Sequence, residues 1–532
     1  VRTLFFVGVN EGCIPKNTES GGILTEMDRD FLDSQGIELA PGPKELMNMQ
    51  RFYLYLNLTK PCESLCLSYS QSTGKGEAAG PAFLIRTIQM LFPNIRTERA
   101  EEPDNQLNLL ETPNTSVDYL LENLTDEEKR NNNPLFAELY SWYLNSPKYR
   151  TMTERLRDAA FLCKPTDQIS KSVAKALYGE VSPNGATRLE RFSACAFAHF
   201  LKYGLEITER AEYEFRAMDM GNIIHQALED FAAELNHRRL KWSDLADRER
   251  DEIADACLDK VAADYGNTIL QSSARNHYMI ERTRRILRRT VWALQEQLKN
   301  GQFQPEGFEV SIGGGRIDRL DVMKEDDKVY VKIIDYKTGN TSFDLVSIYY
   351  GLQMQLVVYM DAAIQAEKKK HEGCEVRPAG IFYYNVKDPM LQKELEDDLD
   401  ELNPEIFKKL KMNGLVMKDD HVIECLDKTT VSLPLSYTTK GTLRKGASVA
   451  DETQFALLDE YVKKKITDIR ESIMDGNAEV APYEMGNRNA CTYCPYQGTC
   501  GFDRKIPGYE FRRLKQFADE EIWKAFAEEV ED

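Results

Sequence analysis

The sequence predicts an α/β fold spread over two or three domains, and three observations carry that prediction. At 532 residues the chain is too long for a single hydrophobic core. Apolar residues make up 42% and charged residues 29%, the proportions of an ordinary globular protein. Short apolar runs alternate with segments of helical period through residues 1–95, and strands return after a mostly helical stretch that ends near residue 300.

The elements follow in order. "TLFFVGV" reads as a strand, "NMQRFYLYLNLT" as a helix and "ESLCLSYS" as a second strand. The first strand is expected to be buried and to need sheet neighbours; with no initiator Met before it, the chain reads as a piece of a longer protein. Residues 100–180 are polar, helical in period and rich in Asn and Glu, with breaks at "NNNP" and "NSP". Pro and Gly punctuate "GEVSPNGATRLERF" (179–192), which predicts a boundary before a new amphipathic helix. Strands are expected in "FEVSIGGGRIDRLDVM" (308–323) and, after a turn through "KEDD", in "KVYVKIIDYKTG". One long helix is expected over residues 344–370, a strand at "AGIFYYNV" and a hairpin around Lys440-Gly441. A helix over 451–474 leads into a cysteine cluster, and an acidic helix closes the chain.

The formal net charge of −19 argues against loose adhesion to nucleic acid. It permits a local basic channel, because screening hides charges beyond about 8–10 Å. Acid concentrates in residues 392–405, and "ERTRRILRRT" (281–290) reads as a solvated basic helix face. No apolar run approaches the roughly 20 residues that span a bilayer, and no signal peptide opens the chain, so the default reading is cytoplasmic.

The chemistry concentrates in "VKIIDYKTGN". Val329, Val331 and Ile333 alternate, and Asp335 and Lys337 continue on the same strand face. Asp318 shares a face with Leu320 and Val322, so antiparallel pairing across the turn brings it toward Asp335 and Lys337. Two carboxylates and a lysine at strand ends suit Mg²⁺, which takes oxygen ligands and keeps several waters. Taken alone, an Asp-x-Lys pair is more often a surface ion pair worth about 0–1 kcal/mol. His225, in the first turns of a helix in "MGNIIHQALEDF", can ligate as a neutral imidazole. Gln355 and Tyr359 are four apart and share one helix face.

This order of a helix with His, a strand with Asp, a strand with Asp-x-Lys and a helix with Gln-x-x-x-Tyr resembles the RecB-like branch of the PD-(D/E)XK nuclease superfamily. The resemblance implies that Asp318 and Asp335 are metal ligands with His225 as a further one. It implies that Lys337 is the catalytic lysine and that Gln355 and Tyr359 lie beside DNA. Glu309 stands where the family often has an acid.

"CTYCPYQGTC" sets Cys491, Cys494 and Cys500 at C-x2-C-x5-C spacing, with the other eight of eleven cysteines scattered. Cys195 in "RFSACAFAHFLKYGL" supplies a fourth thiolate, and His199 is the alternative that would favour zinc; both zinc and iron–sulfur clusters take four such ligands. One Cys before the nuclease core and three after it resembles the [4Fe–4S] clasp of iron–sulfur nucleases, a structural staple closing a loop of roughly 300 residues.

"FFVGVNEGCIP" and "LYLNLTKPCESLCLSYS" resemble the last part of a superfamily 1 helicase-like fold. Lys60 stands where active ATPases of that group have an arginine, and the two are not interchangeable at a phosphate. "STGKGEAAG" (72–80) fails as a P-loop because Gly76 follows Lys75. The segment therefore reads as a degenerate, ATPase-inactive scaffold. Its combination with a cysteine-clasped nuclease resembles the AddB family. That implies a helicase-like segment over 1–180, a nuclease domain over 181–512 and a terminal helix over 513–532. It also implies an AddA-like helicase partner in a heterodimer, resection of double-strand breaks, and digestion of the 5′-ended strand. The rival readings are a stand-alone RecB-like iron–sulfur exonuclease, a non-catalytic DNA-binding scaffold and a zinc-stapled interaction protein.

Overall fold

The computed structural model describes the chain except residues 17–23, 38, 74–77, 100–109, 127–132, 165–166, 180–184, 211–214, 216, 266–269, 271–272, 313–314, 390–398, 439–441, 445–446 and 532. Lys75 and Gly76, Asn131 and Asn132, the centre of the 179–192 boundary, the acidic run up to residue 398 and the hairpin tip Lys440-Gly441 lie outside the described residues. The chain forms two compact units, Val1–Phe161 and Leu162–Asp532. Among the described residues no helix is long and apolar enough to cross a membrane.

The first unit contains β1 (Thr3–Phe6), α1 (Glu26–Ser34), α2 (Pro43–Thr59), β2 (Ser64–Leu67), α3 (Phe83–Leu91), α4 (Ser116–Thr125), α5 (Pro134–Asn145) and α6 (Arg150–Ala160). β1 pairs with β2 in parallel, from Thr3↔Ser64 to Phe6↔Leu67. The expected burial of β1 is corrected: its residues alternate between exposed and half-buried, and Phe5 is 71% exposed. The reason is that this sheet has only two strands among the described residues, and the core beside it is small, built on Val9, Ala82 and Ile85. A separate core of Leu120, Leu124, Phe136 and Tyr143 unites α4, α5 and α6. Lys60 follows α2, exposed, with its ammonium 3.4 Å from Asn57 Oδ1.

The second unit starts with α7 (Lys171–Tyr178), α8 (Ala186–Ala194), α9 (Ala196–His199), α10 (Ala217–Arg238), α11 (Asp247–Asp264) and α12 (Ala274–Asn300). The sheet then begins with β3 (Gln304–Ile312), β4 (Gly315–Glu325) and β5 (Lys328–Lys337). Next come α13 (Leu345–Tyr349), α14 (Gln355–Lys370), β6 (Glu375–Asn385), α15 (Leu399–Lys409), β7 (Asn413–Met417), α16 (Asp420–Leu426) and β8 (Val449–Ala450). The strands lie side by side in chain order in a six-stranded sheet, mixed in direction: β5 and β6 are parallel, whereas β3–β4, β4–β5 and β6–β7 are antiparallel. The chain ends with α17 (Glu452–Met474), β9 (Tyr483–Met485), β10 (Arg488–Asn489), α18 (Gln497–Cys500), β11 (Arg512–Arg513) and α19 (Asp519–Glu531), the last packing on α17.

Ile317–Met323 of β4 and Val329–Tyr336 of β5 are buried without alternation. Both sheet faces are therefore covered, and the polar residues on the face opposite Asp318 must be satisfied inside the protein. Arg319 donates to both carboxylate oxygens of Asp321 at 2.6 and 2.8 Å, and Lys332 Nζ lies 2.6 Å from Asp321 Oδ2. Burial pushes the Asp321 carboxyl up, but the two cations outweigh it and hold the group below its usual range. Removing one partner of such a trio strands buried charge. Asp321→Ala is expected to lower stability by about 3–5 kcal/mol in urea titration; a loss under about 1 kcal/mol would show the trio to be solvated.

The single helix expected over 344–370 is corrected to two, α13 and α14. Gly351 interrupts it at φ +70°, and a Cβ there would lie 2.6 Å from Ser193 Oγ on α8. The break makes Gln355 the first residue of α14, which matters for the site.

Candidate active site

In the β4–β5 register Arg319 faces Ile334, so Asp318 stands opposite Asp335 at the end of the hairpin away from its turn. A cavity of about 720 Å³ opens there, lined by His225, Glu309, Asp318, Asp335, Lys337, Gln355 and Tyr359. Every residue expected to take part in the cleavage chemistry is thus brought to one place.

The details differ among them. His225 of α10 donates through Nε2 to the Tyr336 carbonyl at 2.9 Å. A carbonyl only accepts, so this bond fixes the tautomer and leaves Nδ1 as the lone-pair nitrogen whenever the ring is neutral. Nδ1 faces Asp318 Oδ2 at 3.4 Å and Glu309 Oε1 at 3.7 Å. The ligand atoms of His225, Glu309 and Asp318 lie within 4.8 Å of one another, a spread that a single cation can draw together. Asp335 lines the same cavity, with Lys337 Nζ 2.6 Å from its Oδ2. Asp318 also accepts the Tyr336 N–H at 2.7 Å.

The charges are poorly balanced for a site without a cation. Burial, then Asp335, pushes the Asp318 carboxyl up to about 7. Burial also raises Asp335, against the pull of Lys337. This mixed N/O donor set, rich in carboxylates, fits a hard divalent ion.

Lys337 Nζ donates to Gln355 Oε1 at 3.1 Å, and Gln355 Nε2 donates to Tyr359 Oη at 3.0 Å. The Gln-x-x-x-Tyr face therefore gives the lysine a second partner besides Asp335. Tyr359 also reaches β4, where a Cβ on Gly315 would lie 2.8 Å from its hydroxyl. The glycine run before Arg316 is the sequence signal for that close approach.

Of two further acids, one has only a position in the sequence patterns and the other escapes them. Glu309 has no definite role in them; in the structure it stands opposite Asp318 with φ +48°, a conformation that costs a non-glycine about 1–3 kcal/mol and clusters at functional sites. Glu190 of α8 is absent from them altogether. Its Oε1 accepts the backbone N–H groups of Met354 and Gln355 at 2.6 and 2.9 Å, satisfying donors that the start of α14 leaves open. The carboxylate suits a helix N-terminus and anchors the residue that holds Lys337.

Burial pushes Glu190 up to about 7 from an ordinary 4.5. Its folded-state value lies above its unfolded one, so the associated stability is complete below about pH 4.5 and lost as pH rises through about 7. Metal-free Glu190→Gln is therefore expected to exceed the parent by about 3 kcal/mol at pH 8, with the gap closing near pH 5. Urea titrations at both pH values check this, and a gap independent of pH would refute it.

A second cluster joins the ends of this unit. Cys195, Cys491, Cys494 and Cys500 line one small cavity. Burial, then the neighbouring thiols, pushes Cys491 up to about 12, and burial also raises Cys195. The Phe197 N–H donates to Glu479 O at 3.1 Å and Tyr496 Oη to Ile207 O at 2.9 Å, so the segments on either side are tied directly. His199 does not line that cavity. It is fully buried, receives Arg188 Nε at 3.3 Å and packs among Tyr178, Phe192 and Tyr203, and burial holds it down at about 3.

A mixed sheet with a carboxylate pair and lysine at one end, flanked by a histidine helix and a Gln-x-x-x-Tyr helix, defines a nuclease class. The family model described as the PD-(D/E)XK nuclease superfamily matches residues 185–501, more than half of the chain, and the chain belongs to that superfamily. A second model, the fifth domain of the ATP-dependent helicase/deoxyribonuclease AddB, matches residues 102–159 in the first unit. Over its full length the chain is 38% identical to an ATP-dependent helicase/deoxyribonuclease subunit of Lachnoclostridium phytofermentans, covering 48% of that protein. It is 33% identical over 99% of its length to the protein of the same name from Alkaliphilus metalliredigens, and 32% identical over its whole length to that from Clostridium botulinum, covering 48% and 49% of them. The chain spans about half the length of the curated relatives it matches. The AddB resemblance drawn from the motifs is borne out across both units.

Proposed function

We propose that this chain is the nuclease-bearing part of a helicase–nuclease subunit and hydrolyses phosphodiester bonds of single-stranded DNA exonucleolytically. The observation that carries this reading is the convergence of His225, Glu309, Asp318, Asp335, Lys337, Gln355 and Tyr359 on one cavity. We place the nuclease domain in residues 181–512, a helicase-like scaffold without ATPase activity in 1–180, of which 1–161 form the first compact unit, and the terminal segment that carries α19 in 513–532.

Asp318, Asp335 and His225, with Glu309 as a further donor, would hold Mg²⁺. When bound, such an ion stabilises negative charge that develops on the phosphoryl group. The Tyr336 carbonyl keeps His225 in the ligating tautomer. Lys337, fixed between Asp335 and Gln355, holds the attacking water and compensates charge on a phosphoryl oxygen. Water adds to phosphorus, the bond to O3′ breaks, and the products are a 5′-phosphate and a 3′-hydroxyl. Gln355 and Tyr359 lie beside the strand.

The four cysteines would hold a [4Fe–4S] cluster as a staple. The support for this reading is that all four thiols line one small cavity, and both a cluster and a tetrahedral zinc take four such ligands. By analogy with the relatives' name, the partner is an AddA-like helicase subunit, and the pair resects double-strand breaks for recombinational repair in the cytoplasm, this chain digesting the 5′-ended strand.

The test is cleavage of end-labelled single-stranded DNA with Mg²⁺ or EDTA, repeated with an AddA-like helicase and ATP on duplex ends. Metal-dependent shortening supports the reading. Failure to cut in every combination would overturn it.

A further inference from the structure

Beside the catalytic cavity lies a second one of about 500 Å³ whose rim is basic: Lys387, Lys408, Lys409 and Lys411 line it. All four are exposed. In a chain of net charge −19, four lysines gather around one cavity. The carboxylate of Asp388, next to Lys387 in the chain, is held by Arg285 Nε at 2.6 Å.

Its position follows from the sheet. β5 and β6 run parallel with Lys337 beside Asn385, so the strand ends that present Asp335 and Lys337 also open onto this groove. The loop after β5 forms the wall between them: Thr338 and Gly339 line the catalytic cavity, and Asn340, Thr341 and Ser342 line the basic one. From Lys337 to Asn340 is three residues, at most about 10 Å of chain. The wall is pinned. Asn385 donates to Thr341 O at 2.9 Å and accepts the Thr341 N–H at 3.2 Å, and Asn413 Oδ1 accepts the Phe343 N–H.

We infer that this groove is a subsite for the sugar-phosphate backbone of the strand being cut, holding phosphates next to the scissile one. The inference rests on the nuclease reading and adds to it the path of the substrate. Lysine ammonium groups ringed by amide and hydroxyl side chains are the donors that bind phosphates without reading sequence. Among the described residues no aromatic side chain lines the groove, so it holds backbone and does not stack bases. Such a grip would keep the strand bound while its end advances.

The experiment uses the whole chain and a variant with Lys387→Gln, Lys408→Gln and Lys411→Gln, with thermal melting to establish that it folds. Anisotropy of a dye-labelled single-stranded oligonucleotide in EDTA reads affinity without cleavage, and salt titration counts the phosphate contacts. The expected result is a Kd raised about tenfold at moderate salt and a log–log salt slope smaller by about 2, from three contacts at about 0.7 each. The triple arginine variant should restore both. Cleavage of bis(p-nitrophenyl) phosphate, which fills only the catalytic cavity, should stay at the parental rate. Unchanged affinity and slope in the glutamine variant would overturn the subsite, as would a parent that does not bind the strand. The two readings fail separately: binding that depends on the lysines without any cutting keeps the groove and removes the nuclease, and cutting with lysine-independent binding does the reverse.

Discussion

Replacing Asp335 with alanine is expected to reduce Mg²⁺-dependent cleavage of end-labelled single-stranded DNA by at least about 10²–10³-fold, the loss typical when one charge-stabilising group leaves an active site. Lys337→Ala should match it, because the lysine, held by Asp335 and Gln355, is a cation that faces the same cavity. Neither change should unfold the protein. Asp335 is buried with its carboxyl raised by burial, so the charged form is a burden on the fold, and removing it leaves the β4–β5 ladder intact. Melting temperatures should therefore stay close to the parent's. Full activity in either variant would remove the site assignment, and activity lost together with the fold would leave the pair structural. Asp335→Asn separates these cases further, since it keeps shape and loses charge. Its activity should fall as far as that of the alanine variant.

The parts of this site that are legible in the sequence are those set by local periodicity. Alternation of Val329, Val331 and Ile333 fixes which face Asp335 and Lys337 share, and a tight turn at "KEDD" fixes the register that faces Asp318 toward them. The spacing of Gln355 and Tyr359 fixes their common helix face, and their 3.0 Å hydrogen bond follows. What stays hidden depends on contacts between distant segments. Glu190 matters only because α8 reaches the start of α14, more than 160 residues later, and that start exists only because Gly351 breaks the helix. Glu309 points at His225 through a left-handed backbone that no pattern of residue types reveals. The trio of Arg319, Asp321 and Lys332 is hidden because its charges meet only when β4 and β5 pair, inside a sheet covered on both sides.

Cys494→Ser is expected to yield a colourless protein that melts roughly 5–10 °C below the parent, the effect of losing a cross-link worth about 5 kcal/mol across a loop of roughly 300 residues. Iron and sulfide analysis of the parent decides the metal; zinc in a colourless parent would replace the cluster with a mononuclear site. The staple and the chemistry should be coupled in one direction only. Cys195 follows Glu190 by five residues, just past the end of the same helix, and Glu190 holds the N-terminus of the helix that carries Gln355. Loosening the clasp should therefore loosen the grip on Lys337 and lower cleavage, with a steeper loss on warming. The Asp335→Ala variant, whose change lies in the cavity, should keep its colour and its melting temperature. Full cleavage by Cys494→Ser at its parent's working temperature would show that the ends of the domain are held by their direct contacts, such as Phe197 to Glu479, without help from the cysteines.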